Sequence, residues 1–520
     1  MTSIQPRDPY TKNELEKLYL KDLRLQLVQV LHRHGERTPT TSRFQNAGLP
    51  RFWPYCSVAQ EMISQILDNE HSSIKWTPFH WQRRIETVNE DGQPILATGP
   101  GGDVDSLCKA GELTNKGRIT TFNLGRRLRH LYVDQLNFLP KTLEDAEILY
   151  LRSSSFPRAL ESLQQVVRGL YPVNTRVSSL GPLSIIARSD ADENLVPNTY
   201  SCKRLSQLST AFAQRSADRW NQTTEMKYLS KLFGKWMPEE DKRVAVDSKP
   251  RLSGIYDTIN STLAHDLETR LPDEFYDFRG RKIIDKICVE EYFSGYQESQ
   301  EYRTLGIGRL MGEIVARMIG NVESTYREES SRSNYWDKSM SKEKDEKNTL
   351  KFALSGCHDT TLAAILGSLG TLKNKTWPPY TSHIALELFR KLTVRPISLP
   401  ETQDFIDGTK NRSEIPSSFH SGQGENDTSC HTLKVSQDSS KKKKNPSLVG
   451  YFVRVRYNDE VVTIPGCTQI GNHLEGDETF CTLDAFKTIV DKYVPHSQQK
   501  ACQANLDMPA FPETPQPAGY

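Results

Sequence analysis

The sequence predicts an α/β fold, a central sheet flanked by helices with its chemistry gathered at the carboxyl ends of the strands. Two observations predict it. Three apolar runs of strand length each end in a polar tip: Leu25 to Leu31 at His32-Arg33-His34-Gly35, Glu147 to Leu151 at Arg152-Ser153-Ser154, and Leu350 to Leu354 at Ser355-Gly356-Cys357-His358-Asp359. The last two tips are each followed at once by a helical pattern, so strand, polar turn and helix repeat as one unit.

Taken in order, Leu25 to Leu31 is β-branched and apolar enough for a strand buried in a sheet. Thr114 has the character of an N-cap for a helix running to about Val133, with Phe122, Leu128 and Leu131 inward and Arg126, Arg127 and Arg129 on a solvated face. Pro157 suits a first helical turn, and Leu160, Leu163, Val167 and Leu170 follow on one face. Residues 200–335 read as an inserted, mostly helical cap without strong strand signals, which divides the core into 24–199 and 336–495. After Asp359, positions Leu362, Ile365, Leu366 and Leu369 mark another helix. Residues 400–446 turn rich in Ser, Thr, Asp, Gly and Lys, ending in Lys441 to Lys444, and are expected to be a disordered insertion between two neighbouring strands, the second at Tyr451 to Tyr457. Residues 496–520 are expected to be a flexible tail.

Composition limits the function classes. Over 520 residues, 36% are hydrophobic and 25% charged, enough for a sizeable core, while 67 basic against 65 acidic residues leave a net charge of +2 and remove the global electrostatic argument for nucleic-acid binding. No run approaches the roughly 18 apolar residues of a membrane span, and the N-terminus lacks both an apolar signal core and the acid-poor character of a transit peptide, so an intracellular, cytoplasmic protein is expected. The nine cysteines are scattered and form no C-x-x-C pair, which predicts reduced, partly buried thiols and no zinc.

Arg33-His34-Gly35-Glu36-Arg37-Thr38-Pro39 is the most specific segment: five fixed positions arise by chance in such a chain on the order of once in 10⁴. A neutral imidazole is a competent nucleophile, guanidinium forks match phosphate oxygens bidentately, and phosphoryl transfer needs mainly positioning and charge stabilisation. The segment resembles the R-H-G-x-R-x-P motif of the histidine acid phosphatases, the second branch of the histidine phosphatase superfamily. The resemblance implies a phosphoglycerate-mutase-like core, His34 as a nucleophile that becomes phosphohistidine, Arg33 and Arg37 as phosphate ligands, and a downstream His358-Asp359 pair in which His358 binds phosphate and Asp359 protonates the leaving oxygen. Arg152, in a stretch similar to the family's R-S-T-x-x-x-R, is expected to complete the phosphate pocket, with Arg158 as the alternative or as its supporting partner.

Leu113 to Gly117 resembles the family's L-T-x-x-G helix start, and Val196 to Cys202, Lys375 to Tyr380 and Gly466-Cys467 with Cys481 to Phe486 look most like the lysophosphatidic acid phosphatase branch. The implied activity is metal-free and cofactor-free hydrolysis of a small-molecule phosphomonoester, with a lysophospholipid as one substrate and small soluble esters or inositol phosphates as the alternatives. A non-catalytic scaffold is the reading from another class. The resemblance also leaves a mitochondrial location open, and the pairing of Cys467 with Cys481 undecided.

Overall fold

The fold is described from a computed structural model, over residues 2–68, 75–239, 242–333, 350–372, 376–392 and 448–520. A short capped helix, α1 (Lys12–Leu18), leads into β1 (Leu23–Arg33), in which every residue from Leu27 onward is buried, as a strand covered on both faces must be. Two hairpins then leave the sheet: β2 (Met62–Asp68) with β3 (Lys75–Trp81), and β4 (Glu86–Val88) with β5 (Pro94–Leu96). α2 (Asn115–Arg129) starts where expected, the Thr114 hydroxyl accepting from the Gly117 amide at 3.3 Å. β6 (Leu149–Ser153), α3 (Pro157–Leu170), which opens on its proline, and β7 (Ile185–Ile186) complete the first part of the core.

Six helices follow: α4 (Lys203–Trp220), α5 (Thr224–Phe233), α6 (Leu252–Leu263), α7 (Phe278–Glu298), α8 (Gln300–Arg303) and α9 (Arg309–Ser333). The chain then re-enters the sheet through β8 (Phe352–Cys357), which passes directly into α10 (Asp359–Ser368), and β9 (His383–Lys391). After the undescribed stretch come β10 (Tyr451–Tyr457), β11 (Glu460–Val462), β12 (His473–Leu474), β13 (Asp477–Thr482), α11 (Leu483–Asp491) and α12 (Gln498–Gln503).

Among the described residues the main sheet has nine strands in the order β12-β13-β10-β9-β1-β8-β6-β7, with β11 on β10. β1, β8, β6 and β7 run parallel, β9 runs antiparallel to β1, and β10 runs antiparallel to β9. The three polar tips therefore emerge at one edge, with Arg33 level with Cys357 and Ser153 level with Gly356. Alternation along β1 divides the core: Leu27 and Leu31 pack with α9 and α10, while Val28 and Val30 pack with α2 and α3. The mixed α/β architecture is the one the sequence predicts.

Several expectations are corrected. The cap takes in residues from the first core segment, because Phe44, Leu49 and Trp53 share an apolar cluster with Trp220, Leu229, Ile255 and Ile284. α9 belongs to the core instead, with Leu310, Met311, Ile314 and Met318 in the cluster under the sheet. The tail is packed rather than frayed: Phe511 lies against Phe212, Arg204 donates to the carbonyls of Met508 and Pro509, and the Gly466 amide donates to Gly519. Its prolines exclude helix without preventing burial. Of the supposedly solvated arginines, Arg127 and Arg129 are half-buried, and Arg129 caps the carbonyls of Leu170 and Lys141.

The cysteines depart furthest from the reduced-thiol expectation. Cys56–Cys108, Cys202–Cys502 and Cys467–Cys481 are disulfides, and Cys288 and Cys357 are buried thiols. Pairing across 300 residues leaves no local spacing to read. The insertion 400–446 lies outside the described residues, but β9 and β10, on either side of it, are neighbouring strands as anticipated, and they pair antiparallel.

Candidate active site

The site is built where β1, β6 and β8 end. His34 is the first residue past β1, and its amide donates to the Cys357 carbonyl at 3.1 Å, which ties it to the neighbouring tip. The imidazole is buried, with Nδ1 at 2.9 Å from the Gly35 carbonyl. A carbonyl only accepts, so Nδ1 carries the proton and Nε2 keeps its lone pair. Burial, followed by the positive fields of Arg158, Arg33 and Arg37, holds the pKa of His34 well below its ordinary value, so the ring is neutral.

Gly35 lets two backbone segments approach closely. A Cβ on it would meet the Gly117 carbonyl oxygen at 2.3 Å, and a Cβ on Gly117 would meet the Glu36 carbonyl oxygen at 2.2 Å. The pair lets the start of α2 press directly on the turn that carries His34.

Each cation around His34 is oriented by a different element. Arg33 donates through Nη1 to the Pro378 carbonyl at 2.6 Å, pairs through Nη2 with Asp359 Oδ2 at 2.7 Å, and lies over the Tyr380 ring. Arg37 pairs with Asp257 of α6 at 2.7 Å, and the other oxygen of Asp257 accepts from the amide and hydroxyl of Thr40, so the cap braces a core arginine. His358 Nε2 lies 2.8 Å from the Ser154 hydroxyl, and its ring packs edge-on against Phe156 and faces His34 at 5.5 Å between centroids. Burial and then Arg158 depress its pKa to about 3, so it too is neutral.

Asp359 is the first residue of α10. Burial by itself would raise its carboxyl, but Arg33, the Trp377 indole, Arg37 and His358 outweigh burial and hold it below its ordinary range. Trp377 Nε1 donates to Oδ2 at 2.9 Å.

Arg152 and Arg158 stand opposite to the sequence ranking. The Arg152 guanidinium is 1% exposed and is taken up by Glu193 at 2.8 Å, Asn194 at 2.6 Å and Glu313 at 3.2 Å. Both of its terminal nitrogens are engaged by these partners, so the geometry corrects its assignment as a phosphate ligand. Arg158, the second residue of α3, takes that place: its positive charge acts on His34, it is half-buried, and it forms no ion pair among the described residues. Burial and then Arg37 lower its pKa to about 10, against the opposing pull of Asp359 and Asp257. Both arginines flank the same serine run, and only the side on which carboxylates come within reach tells them apart. Asp257 and Trp377 escaped sequence reasoning because they arrive from the cap and from the segment before β9. Among the described residues, no group of three or more His, Cys, Asp or Glu could hold a metal ion.

Comparison with known proteins identifies the family. The family model for the histidine phosphatase superfamily (branch 2) matches residues 24–413. A probable acid phosphatase of Schizosaccharomyces pombe is 33% identical over 93% of this chain and 95% of its own. Lysophosphatidic acid phosphatase type 6 of Homo sapiens is 24% identical over 71% of this chain and 75% of its own. Among solved structures, a Hafnia alvei phytase in complex with tartrate superposes with a TM-score of 0.50 at 12% identity, covering 93% of this chain and 99% of that one, which is a likeness of fold. The chain therefore belongs to branch 2 of the histidine phosphatase superfamily, and as a member it is a phosphatase.

Proposed function

We propose that the protein hydrolyses a phosphate monoester in two displacements at His34. In the first, Nε2 attacks phosphorus, the bond from phosphorus to the ester oxygen breaks, and that oxygen leaves as an alcohol with the proton of Asp359. In the second, water attacks the phosphohistidine, gives a proton to Asp359 and releases inorganic phosphate, restoring the imidazole and the acid. Arg33, Arg37, Arg158 and His358 take the phosphoryl oxygens. The observation that carries this reading is a buried, neutral His34 with Nδ1 committed to the Gly35 carbonyl and with Arg158, Arg33 and Arg37 acting on its ring.

A donor must be protonated, whereas Asp359 rests as a carboxylate paired with Arg33. An arriving phosphate dianion competes for Arg33, and a buried carboxyl that loses its cation moves toward protonation. Turnover is then expected to fall as pH rises above the acid range. His34→Ala tests the reading: phosphate monoesters hydrolyse so slowly unaided that it should remove essentially all turnover. More than a few per cent of wild-type kcat would exclude His34 as nucleophile.

Lysophosphatidic acid is the substrate we favour. Support comes from the relatives of that name and from Phe156, 40% exposed and packed on His358, which offers an apolar surface beside the phosphate pocket. Comparing kcat/KM for lysophosphatidate, phytate and p-nitrophenyl phosphate checks the choice, and a preference for phytate would overturn it. The three disulfides favour an oxidising compartment over the cytoplasm. Alkylation without reductant should leave six of the nine cysteines blocked, and uniform labelling would contradict this placement.

A further inference from the structure

We infer that Trp377 is a positioning residue for Asp359, and that through it the helical cap holds the proton donor in place while Arg33 exchanges the carboxylate for substrate phosphate. The inference rests on the reading of Asp359 as the donor. Its basis is that Asp359 Oδ2 has two donors of different character. Arg33 is the cation a phosphate dianion attracts, and when it turns to substrate the ion pair is lost. The Trp377 indole N–H, at 2.9 Å, carries no charge and has no reason to follow. The Thr360 amide holds the other oxygen, Oδ1, at 2.8 Å. A carboxyl kept by Thr360 alone could rotate about its own bonds; kept also by an indole, it stays aimed at the leaving oxygen.

The indole is held by the cap. The Trp377 amide donates to Asp285 Oδ1 at 3.1 Å, the same carboxylate accepts from the Tyr256 hydroxyl, and the ring packs against Tyr256 of α6 and Tyr292 and Phe293 of α7. Trp377 thus bridges the helices that cover the site to the first residue of α10. The other charged and titratable groups that face Asp359 are Arg33 and Arg37 from β1 and the turn after it, Arg158 from α3, and His358 and Cys357 at the tip of β8.

Trp377→Phe removes the N–H and keeps an aromatic ring in the socket. Losing a hydrogen bond to a charged group is expected to lower kcat/KM for an alkyl phosphate about tenfold or more. The loss for p-nitrophenyl phosphate, whose phenolate leaves without a proton, should stay under about threefold. Because the lost bond favoured the carboxylate, the alkaline limb of the pH profile should move upward. Equal losses for both substrates with an unmoved limb would overturn the inference, since they would mark the tryptophan as packing only. Should Trp377→Phe fail to fold, the wild-type protein labelled with 5-fluorotryptophan offers a second test, in which Asp359→Asn should shift one of the seven indole signals and leave the others in place. Seven unmoved signals would overturn the inference. These readouts stand apart from the nucleophile: activity surviving in His34→Ala would sink the phosphohistidine reading and leave the tryptophan signal unaffected.

Discussion

A buried guanidinium serves as a strut or as a ligand for phosphate according to the carboxylates within its reach. Arg152, held through both terminal nitrogens by Glu193, Asn194 and Glu313, is a strut. Arg152→Ala should cost about 3–5 kcal/mol of stability by leaving buried carboxylates without their cation. The protein that still folds should keep kcat near wild type. Arg158→Ala should do the reverse, lowering kcat/KM on the order of 10²–10³ with little change in melting temperature. Thermal melts and steady-state kinetics on the two variants decide between the assignments, and an active Arg158→Ala enzyme would return the role to Arg152. At this scale the sequence was legible wherever chemistry sits next to the chain: His34, Arg33, Arg37, His358 and Asp359 converge as the motifs imply. It was illegible where an orientation depends on distant partners, as for Asp257 on Arg37.

Strands that end at one edge bring residues far apart in the chain to a common point, and what lies beneath that edge matters as much. Gly117 at the start of α2 is in contact with the turn carrying His34, so Gly117→Ala drives a methyl against the Glu36 carbonyl. With backbone on both sides, the turn must shift, and activity should fall more than stability. Equal activity at unchanged melting temperature would show that the contact is slack. Elements with strong periodicity were readable, including the Thr114 cap and the proline opening α3. The cap boundaries were not, because Phe44, Leu49 and Trp53 join it through packing that leaves no local signature. The tail was misread for a related reason: its burial depends on Phe212, Arg204 and the Cys202–Cys502 link. Cys502→Ser should lower stability by about 2–5 kcal/mol, measurable by denaturant titration.

For the whole molecule, three buried histidines tie stability to pH. His32 and His358, pushed down to about 4 and about 3 by burial, and His34, pushed well down, are neutral in the folded protein and titrate near 6.5 when unfolded. A depressed pKa gives stability that is present above the unfolded value and is lost as pH falls toward the folded one. Melting temperature should therefore decline steadily below about pH 6.5, and a flat profile down to pH 4 would contradict the neutral histidines. Chain connectivity gives another expectation. The Lys391 amide donates to the Gly450 carbonyl, and Tyr451 lies opposite Arg390 across the β9–β10 pair, so a short turn replacing residues 393–447 closes a hairpin already in register. Such a variant should keep kcat and melting temperature. A large fall in either would show that the replaced stretch contributes to the fold or the site.

The central claim is that phosphorus is carried on His34. It is tested most directly by quenching the enzyme during turnover of a ³²P-labelled monoester into alkaline denaturant, where phosphohistidine survives, and sequencing the labelled peptide. The account predicts label on His34 in a fraction that rises when the second displacement is slowed, and none in His34→Ala. Label on Cys357, or turnover at the wild-type rate with no labelled peptide at any quench time, would contradict it.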